Sequence, residues 1–314
     1  MTDVLVNPSL LARKNIATGL LLAFLGSIAF SGKAIIVKLA YRYGVDAVTL
    51  IMYRMLFALP IFALMAWWAT YRQGGVRKPA LTTLDWGGVI GLGVSGYYLA
   101  SFLDFAGLQY VSASLERLIL YLNPTLVMGL GWLLYRKRIA RRQVLAMAVS
   151  YSGVVLVFGH EITLQGGQTA LGALLVFLSA LFYAIYLVYS GELVQRLGSL
   201  RLVGLATTVA CLCCIAQFLV LRPLAAAMVA PEVIWLSVLN ATLCTAVPVL
   251  MVMMAIERVG AGVTAQTGMV GPMSTILMGV LILGEPFTAW VAVGTVLVIV
   301  GIFLFTRVPR VPAT

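Results

Sequence analysis

The chain has 314 residues, of which 62% are hydrophobic and only 10% are charged, and its mean hydropathy is +1.05. This small number of charged side chains cannot cover the surface of a soluble protein of this size. The composition therefore excludes a water-soluble domain and indicates a protein surrounded by lipid. A formal net charge of +11 would suggest a nucleic-acid partner in a soluble protein. Here the basic residues lie between apolar runs, so no nucleic-acid partner is predicted.

Ten apolar runs follow one another along the chain, each close to the roughly 20 residues that a helix needs to span a bilayer. Their polar residues do not alternate with period two, so the pattern favours helices over a membrane barrel. We therefore predict an all-α integral membrane protein with ten transmembrane helices, the first retained rather than cleaved as a signal peptide. The runs cover residues 16–39, 47–69, 86–107, 113–135, 142–159, 169–189, 201–221, 233–256, 262–283 and 287–306.

The basic residues are distributed unequally between the two sides of the predicted membrane. The opposite loops keep only Arg42 and Arg222. This positive-inside bias predicts a multi-pass protein of the cell (inner) membrane with both termini in the cytoplasm. The cluster from Arg136 to Arg142 could also bind anionic lipid. The residues placed on the cytoplasmic side are Arg13, Lys14, Arg72, Arg77, Lys78, Arg136, Lys137, Arg138, Arg141, Arg142, Arg196, Arg201, Arg258, Arg307 and Arg310.

Sequence motifs of soluble enzymes carry no weight in this chain. Cys211 and Cys214 form a single C-x-x-C without a second pair or a nearby histidine, which indicates buried thiols rather than a metal site. The glycines at 91, 93 and 96 match a dinucleotide-binding pattern by accident, because no strand precedes them. His160 is predicted to lie in a short outer loop. The sequence therefore predicts no enzyme activity, no metal and no cofactor.

The second half of the sequence repeats the first. A shift of 148 residues aligns five residue pairs, and a shift of 153 aligns four more near the start of each half. We predict two repeats, residues 1–160 and 161–314, with five helices each. An odd number of helices inverts the second repeat, and inverted repeats are typical of alternating-access transporters. The pairs are Val111 and Val259, Ala113 and Ala261, Pro124 and Pro272, Gly131 and Gly279, Gly153 and Gly301, then Gly19 and Gly172, Phe24 and Phe177, Leu25 and Leu178, Phe30 and Tyr183.

Several ionisable residues fall inside the predicted spans, where each costs at least about 2.5 kcal/mol and is a candidate for a structural or coupling role. Lys38 and Asp104 lie near outer helix ends and could form an ion pair or reach water. Lys33 lies roughly 7 Å deeper and needs an anion, either Glu116, Asp104 or a substrate carboxylate. Arg54 is predicted to neutralise a helix end or a carboxylate between helices. The residues inside the spans are Lys33, Lys38, Arg54, Asp104, Glu116 and Arg117, and Glu285 after the ninth run completes the predicted charged set.

Polar and aromatic residues at mid-membrane positions are the candidate substrate-binding set. Aromatic faces with hydroxyl and amide groups suit an uncharged or zwitterionic organic solute. The alternative is that these residues join helices, since such contacts average about 0.6 kcal/mol without any ligand. The predicted set is Ser31, Lys33, Tyr97, Tyr98, Ser101, Phe102, Tyr121, Asn123, Tyr183, Tyr186, Asn240, Thr245 and Gln266.

Three prolines are candidate hinges of the transport pathway. Pro124 and Pro272 occupy equivalent positions in the two repeats, and Pro248 lies in the eighth run. Each removes a helical hydrogen bond, so the kinks could bend as gates or could be fixed features of packing.

The closing segment LGEPFTAWVAVGTVLVIVGIFLF contains Gly284, Glu285 and Pro286, followed by Gly294 and Gly301. With Pro272, Arg54 and Lys38, it resembles the EamA family of the drug/metabolite transporter superfamily over nearly the whole chain. The first repeat departs from the pattern, because Arg136 and Lys137 replace its Gly-Glu and Ser31 replaces an aromatic residue. This departure argues against a symmetric role for Glu285. The resemblance implies ten helices, cytoplasmic termini, a central cavity and often export of amino acids.

Together these patterns predict a secondary transporter or facilitator that exports a small organic solute, an amino acid or related metabolite, by alternating access. The rival hypotheses are a carrier of another metabolite or drug, an intramembrane enzyme and a lipid-handling scaffold. The expected partners are a small-molecule substrate and membrane lipid, with a monomer or a homodimer equally compatible with the sequence.

Overall fold

The computed structural model describes residues 8–71, 80–136, 140–259, 263–264 and 267–306. Within these ranges all regular secondary structure is helical, and ten apolar helical segments follow one another. They are α1 (Pro8–Tyr41), α2 (Ala47–Tyr71), α3 (Thr83–Gly107), α4 (Ala113–Tyr135), α5 (Arg141–Gln165), α6 (Gln168–Leu197), α7 (Ser199–Leu221), α8 (231–259), α9 (Gly271–Leu283) and α10 (Ala289–Thr306).

The lengths and surfaces of these segments fit a membrane protein. Eight of the described segments are long and apolar enough to span a bilayer, and α9 and α10 are shorter apolar helices. Large apolar side chains cover the outside of the bundle, with Leu64, Val220 and Leu281 exposed by 63%, 81% and 74%. A soluble protein rarely exposes so much apolar surface, so these side chains face lipid. The predicted all-α fold is confirmed.

The two ends of the bundle differ in their side chains. We call the end that carries residues 42–46, 108–112, 160–167 and 284–288 the distal end, and the opposite end the proximal end. Six aromatic residues are exposed at the proximal end, as expected of anchors at a membrane interface. They are Trp67, Trp68, Tyr71, Trp86, Trp132 and Tyr135. Seven of the predicted cytoplasmic cations lie outside the described residues: Arg72, Arg77, Lys78, Lys137, Arg138, Arg307 and Arg310.

The packing of α5 on α10 repeats itself about a pseudo-twofold axis. A Cβ atom on Gly153 would lie 2.5 Å from the carbonyl oxygen of Gly294, and a Cβ on Gly301 would lie 2.7 Å from that of Ala146. Adding 148 to residue numbers 146 and 153 gives 294 and 301, so each contact is the image of the other. Small residues at both positions let the two helix backbones approach closely.

A second pair of contacts shows that the repeats are inverted. A Cβ on Gly172 would lie 2.8 Å from Val111 Cγ1 at the distal end, and a Cβ on Gly19 would lie 2.6 Å from Val259 Cγ1 at the proximal end. The 148-residue shift relates the two valines and the 153-residue shift relates the two glycines. Equivalent contacts therefore lie at opposite ends of the bundle, which is the architecture of an inverted repeat.

The same symmetry groups the helices that surround the centre of the bundle. In the first group, α1 packs against α8 and α9, and in the second, α6 packs against α3 and α4. Each group thus combines one helix from one repeat with two helices from the other. We call them the α1 group and the α6 group. Helices α2 and α7 pack on each other, where a Cβ on Gly204 would lie 2.8 Å from the backbone nitrogen of Ala66.

Of the three π-helical turns in the described residues, one ends α9 at Gly279–Leu283, and the other two lie at equivalent positions of the two repeats. The turn in α3 covers Gly93–Leu99 and the turn in α8 covers Thr242–Ala246, so that Tyr97 and Thr245 are related by the 148-residue shift. π-helical turns are uncommon in proteins, and those that occur are often found at functional sites. The extra residue in such a turn redirects the side chains around it. The two turns lie near mid-membrane, where the sequence predicted a site.

The backbone is interrupted at matched positions within α4 and directly before α9. The first part of α4 ends at Leu120, and its second part is capped by Leu122. A 3-10 turn at Gly268–Val270 precedes α9, and Val270 caps that helix. Val270 and Leu122 are related by the 148-residue shift. Pro124 and Pro272 lie in the first turn of the segments that follow. Backbone N–H groups in a first turn have no acceptor within the helix, so a proline there costs no hydrogen bond. The two prolines therefore begin helical segments after a break instead of kinking a continuous helix, and Pro248 likewise follows the π-turn of α8.

Candidate substrate cavity and buried ion cluster

An open cavity of about 670 Å³ lies at the distal end. This volume is within the range of roughly 300–1,000 Å³ that is typical of small-molecule sites. The cavity contains side chains of both charges, including Lys38 and Glu285 from the predicted charged set. Its polar and charged lining consists of Lys38, Tyr41, Arg42, Asp46, Gln109, Ser112, Ser114, His160, Glu161, Glu285 and Thr288.

Two carboxylates of the cavity bind the N-terminus of α4. Glu285 accepts hydrogen bonds from the backbone nitrogens of Ala113 at 2.7 Å and Ser114 at 3.3 Å, and from Ser114 Oγ at 2.9 Å. Glu161 accepts from the backbone nitrogen and the hydroxyl of Ser112. Ser112 Oγ also accepts from the Leu115 nitrogen at 3.0 Å and so caps the helix. The positive end of the helix dipole favours both carboxylates at this position.

Asp46 stabilises the start of α2 at the cavity rim. Its carboxylate accepts from the Val48 nitrogen at 3.0 Å and from Thr49 Oγ1 at 2.6 Å, and it pairs with Arg222 at 3.2 Å. Partial burial raises the pKa of Asp46, but the hydrogen bonds from Thr49 and Arg222 are stronger and hold that pKa below its ordinary value. The carboxylate is therefore ionised at neutral pH.

A cluster of four charged side chains lies beneath the cavity; we call it the ion cluster. Lys33 Nζ lies 2.5 Å from Asp104 Oδ2 and 3.3 Å from Glu116 Oε1, and Arg117 Nε lies 4.0 Å from Glu116 Oε2. Both carboxylates are almost completely buried, at 3% and 0% exposure, whereas Lys33 is 17% exposed. The structure thus gives Lys33 both of the acidic partners that the sequence offered, and it pairs Asp104 with Lys33 rather than with Lys38.

Hydrogen bonds connect the ion cluster and its neighbours with the helix break that precedes α9. Arg117 donates to Thr275 Oγ1 at 2.9 Å and to the carbonyl oxygen of Phe30 at 3.3 Å. Tyr121 donates to the carbonyl oxygen of Gly268 at 3.0 Å, and Ser31 donates to that of Gly271 at 2.8 Å. Ser31 and Tyr121, both predicted to bind substrate, therefore hold the exposed carbonyls of the helix break.

The sequence predicted that Arg54 neutralises a helix end or a carboxylate, and the structure gives it a hydroxyl partner. Its Nε and Nη2 donate to Thr245 Oγ1 at 3.3 and 3.1 Å, and its guanidinium lies 5.1 Å from the centre of the Phe105 ring. Throughout the described ranges no carboxylate lies within 4.0 Å of this guanidinium, so the expectation of a carboxylate partner was wrong. Thr245 in turn donates to the carbonyl oxygen of Asn240, so Arg54 is bound to the π-turn of α8.

Three predicted tyrosines form one aromatic cluster between α3 and α6. The rings of Tyr97 and Tyr186 are 5.1 Å apart with their hydroxyl oxygens at 3.4 Å, and Tyr183 stacks on Tyr186 at 5.6 Å. Tyr98 and Phe102 pack against the apolar core between α1 and α2. These five residues do not line the distal cavity. Their role in substrate binding stays a prediction.

The other predicted binding residues lie at separate positions. Asn123 donates to the carbonyl oxygen of Leu120 at 3.0 Å, beside the break in α4. Asn240 is buried and Ser101 is half-buried on α3. Gln266 lies outside the described residues.

The sequence analysis missed most of the polar residues that line the cavity, including two serines, a histidine and a glutamate. Ser112 and Ser114 flank the start of the fourth apolar run, and a serine before such a run is a signal for a helix cap. His160 and Glu161 were placed in a loop, but α5 continues to Gln165 and includes both. His160 stacks on Trp290, with ring centres 5.8 Å apart.

Comparison with known proteins identifies the family. The model of the "EamA-like transporter family" matches residues 17–159 and again 170–307. An "Uncharacterized transporter YcbK" of Bacillus subtilis (strain 168) is 31% identical over 86% of this chain and 86% of its own length. The "Uncharacterized transporter YyaM" of the same organism is 25% identical over 77% of this chain and 78% of its own.

The fold also matches a solved structure. One described as "Crystal structure of protein" has a TM-score of 0.60 and 17% identity, and the match covers 92% of this chain and 97% of that chain. An identity this low establishes the fold alone. The two family matches, the relatives and the inverted packing agree: the chain belongs to the EamA-like transporter family and is a multi-pass membrane transporter.

Proposed function

We propose that this transporter exports a small zwitterionic solute of the amino-acid class across the cell membrane by alternating access. The observation that carries the proposal is the mixed charge of the distal cavity, where Lys38 faces the same space as Glu161 and Glu285. A zwitterion presents a carboxylate and an ammonium group, and such a lining offers a partner of opposite sign to each. Hydroxyls of Ser112 and Ser114 add uncharged hydrogen-bonding groups.

The orientation and the mechanism belong to the same proposal. The positive-inside bias favours cytoplasmic termini, and the distal cavity then opens to the outside. Exchange of conformation between repeats 1–160 and 161–314 would open a matching cavity at the proximal end. Inverted repeats build a complete pathway within one chain, so a monomer or a homodimer is compatible with transport.

The decisive experiment is counterflow in proteoliposomes that contain the purified protein. Vesicles are loaded with unlabelled alanine, leucine or phenylalanine, and entry of the same labelled amino acid is followed. We expect saturable exchange for at least one amino acid, and we expect Glu161→Gln to weaken it. Glu232→Gln is the matched control, because Glu232 is exposed outside the cavity. If no amino acid exchanges, the proposed solute class is wrong. A conductance without saturation would indicate a pore.

A further inference from the structure

Several carboxylate oxygens of the ion cluster accept no hydrogen bond. Within the described residues neither oxygen of Glu116 accepts a hydrogen bond, and Asp104 Oδ1 accepts none. Oε1 of Glu116 has only the ionic contact with Lys33 at 3.3 Å. Buried polar atoms are nearly always hydrogen-bonded, so three oxygens without a hydrogen bond in one cluster require an explanation.

The two carboxylates depend on one ammonium group. Oxygens of Asp104 and Glu116 both lie within 3.3 Å of Lys33 Nζ. If Lys33 withdrew, two neighbouring carboxylates would remain in a medium of low dielectric constant, where they cannot both stay ionised. One of them would then take up a proton. Proton binding at this pair and the position of Lys33 are therefore mutually exclusive.

The contact of Lys33 with the carboxylates joins the two helix groups. Lys33 is on α1 in the α1 group, whereas Asp104 on α3 and Glu116 on α4 belong to the α6 group. Arg117 bridges the same boundary, because it donates to Thr275 on α9 and to Phe30 on α1. Any movement of one group relative to the other changes the distance between Lys33 and its partners.

We propose that Asp104 and Glu116 together bind one proton in each transport cycle, in exchange for the Lys33 ammonium, and so couple solute movement to proton movement. This inference rests on the transport function proposed above. The proton comes from water in the distal cavity and binds to a carboxylate oxygen. Lys33 keeps its own protons, so the charge of the four-residue cluster rises from zero to plus one.

The surroundings of Glu116 contain both charges. Helix α1 contributes Lys33 and Lys38, α3 contributes Asp104, and Arg117 is the next residue on α4. Glu161 on α5 and Glu285 after α9 bind the start of α4 one turn away. Helices α6 and α10 face this part of α4 with apolar side chains such as Val176 and Val291. Protonation of Glu161 or Glu285 is thus the main competing source of a pH effect.

Transport driven by a pH gradient tests the coupling. Proteoliposomes are given equal labelled alanine, leucine or phenylalanine on both sides and then a pH difference. We expect the wild type to accumulate solute on one side, and we expect Glu116→Gln to lose that accumulation while its saturable exchange remains measurable. Glu232→Gln should accumulate solute like the wild type. A wild type with saturable exchange that ignores the pH gradient contradicts the proposal, and so does accumulation by Glu116→Gln.

A second measurement decides proton binding without any solute. Infrared difference spectra of the purified protein, recorded as the pH is lowered, report the carbonyl band of a protonated carboxylic acid. Every carboxylate of the protein contributes to this band as it takes up a proton. We expect one component of the band to be present in the wild type and in Glu161→Gln and to be missing in Glu116→Gln and in Asp104→Asn. If that component persists in both of the latter, the proton binds elsewhere and the inference is wrong. Absent counterflow with that component present would contradict only the proposed solute class.

Discussion

Glu285 accepts a hydrogen bond at 2.7 Å from the backbone nitrogen of Ala113, a residue 172 positions earlier in the chain. Ala113 is the first residue of α4, so a carboxylate that follows α9 in the second repeat caps a helix of the first repeat. The Gly-Glu-Pro segment, which carries the family resemblance, thereby connects the two halves at the wall of the distal cavity.

Loss of this cap should destabilise the protein. Glu285→Ala removes three hydrogen bonds from the start of α4, and loss of a helix cap typically costs about 0.5–2 kcal/mol. Glu285→Gln keeps one acceptor oxygen, but it loses the acceptor at the other oxygen and the charge at the helix dipole, and that charge is worth about 0.3–1 kcal/mol. Thermal unfolding in detergent should therefore rank the wild type above Glu285→Gln and Glu285→Ala last. Equal melting of Glu285→Ala and Glu232→Ala would contradict the capping role.

The symmetry of the α5–α10 contact predicts matched effects of two substitutions. A Cβ on Gly153 or on Gly301 meets a backbone carbonyl oxygen at 2.5 or 2.7 Å, so neither helix can relax by turning a side chain. We expect Gly153→Ala and Gly301→Ala to destabilise the protein by similar amounts, about 1–3 kcal/mol each. Thermal unfolding measures both.

The control for the α5–α10 contact is Gly129→Ala in α4, because no atom lies within 4 Å of a Cβ at Gly129. There alanine should be neutral or slightly stabilising, as it is a better helix former than glycine. If Gly129→Ala melts as early as Gly301→Ala, the damage is a general effect of added methyl groups and the close helix contact has no special weight.

The Arg54–Thr245 contact should behave as a coupled pair. Thr245→Val removes the hydroxyl that accepts from Nε and Nη2, and it leaves a buried guanidinium with fewer partners. A buried group that loses its partner costs about 1–3 kcal/mol, and more when it is charged. We expect Arg54→Met combined with Thr245→Val to cost less than the sum of the two single substitutions. A double-mutant cycle by thermal unfolding tests this, and strict additivity would mean that the contact contributes nothing.

The cap at Asp46 should make the distal end sensitive to acid. Because hydrogen bonds from Thr49 and Arg222 hold the pKa of Asp46 below its ordinary value, its stabilising effect is complete above about pH 4. The effect is lost as the pH falls through the lowered pKa. Protection from hydrogen exchange at the first turn of α2, relative to the intrinsic rate at each pH, should fall over that acidic range in the wild type. In Asp46→Asn the same amides should have low protection at every pH, and a wild-type profile in this variant would contradict the assignment.

The parts of the fold that depend on composition and periodicity could be predicted from sequence. Ten lipid-sized apolar runs fix the helix count, and the 148-residue shift that pairs Pro124 with Pro272 reveals the repeat before any contact is known. The break in each helix could not be predicted in the same way. Proline signals an altered backbone, but whether it kinks a helix or begins a new one depends on partners such as Tyr121, which binds the Gly268 carbonyl from another helix.

The candidate site was harder to predict because its contacts cross the chain. Lys33 was recognised as a buried cation that needs an anion, yet its selection of both Asp104 and Glu116 depends on how α1 meets α3 and α4. Arg54 was expected to neutralise a helix end or a carboxylate, whereas its partner is a hydroxyl that a π-turn presents. No periodicity in the sequence marks such a turn, since one extra residue in a helix leaves the apolar pattern almost unchanged.

The glycine contact between α5 and α10 also sets the order in which the molecule can be completed. Helix α10 is the last described segment of the chain, so during synthesis the glycine face of α5 has no protein partner until residues 289–306 have entered the membrane. Until then, lipid chains must fill a groove shaped for another backbone. A ribosome-bound chain that stops before residue 289 therefore exposes the glycine face of α5 to lipid.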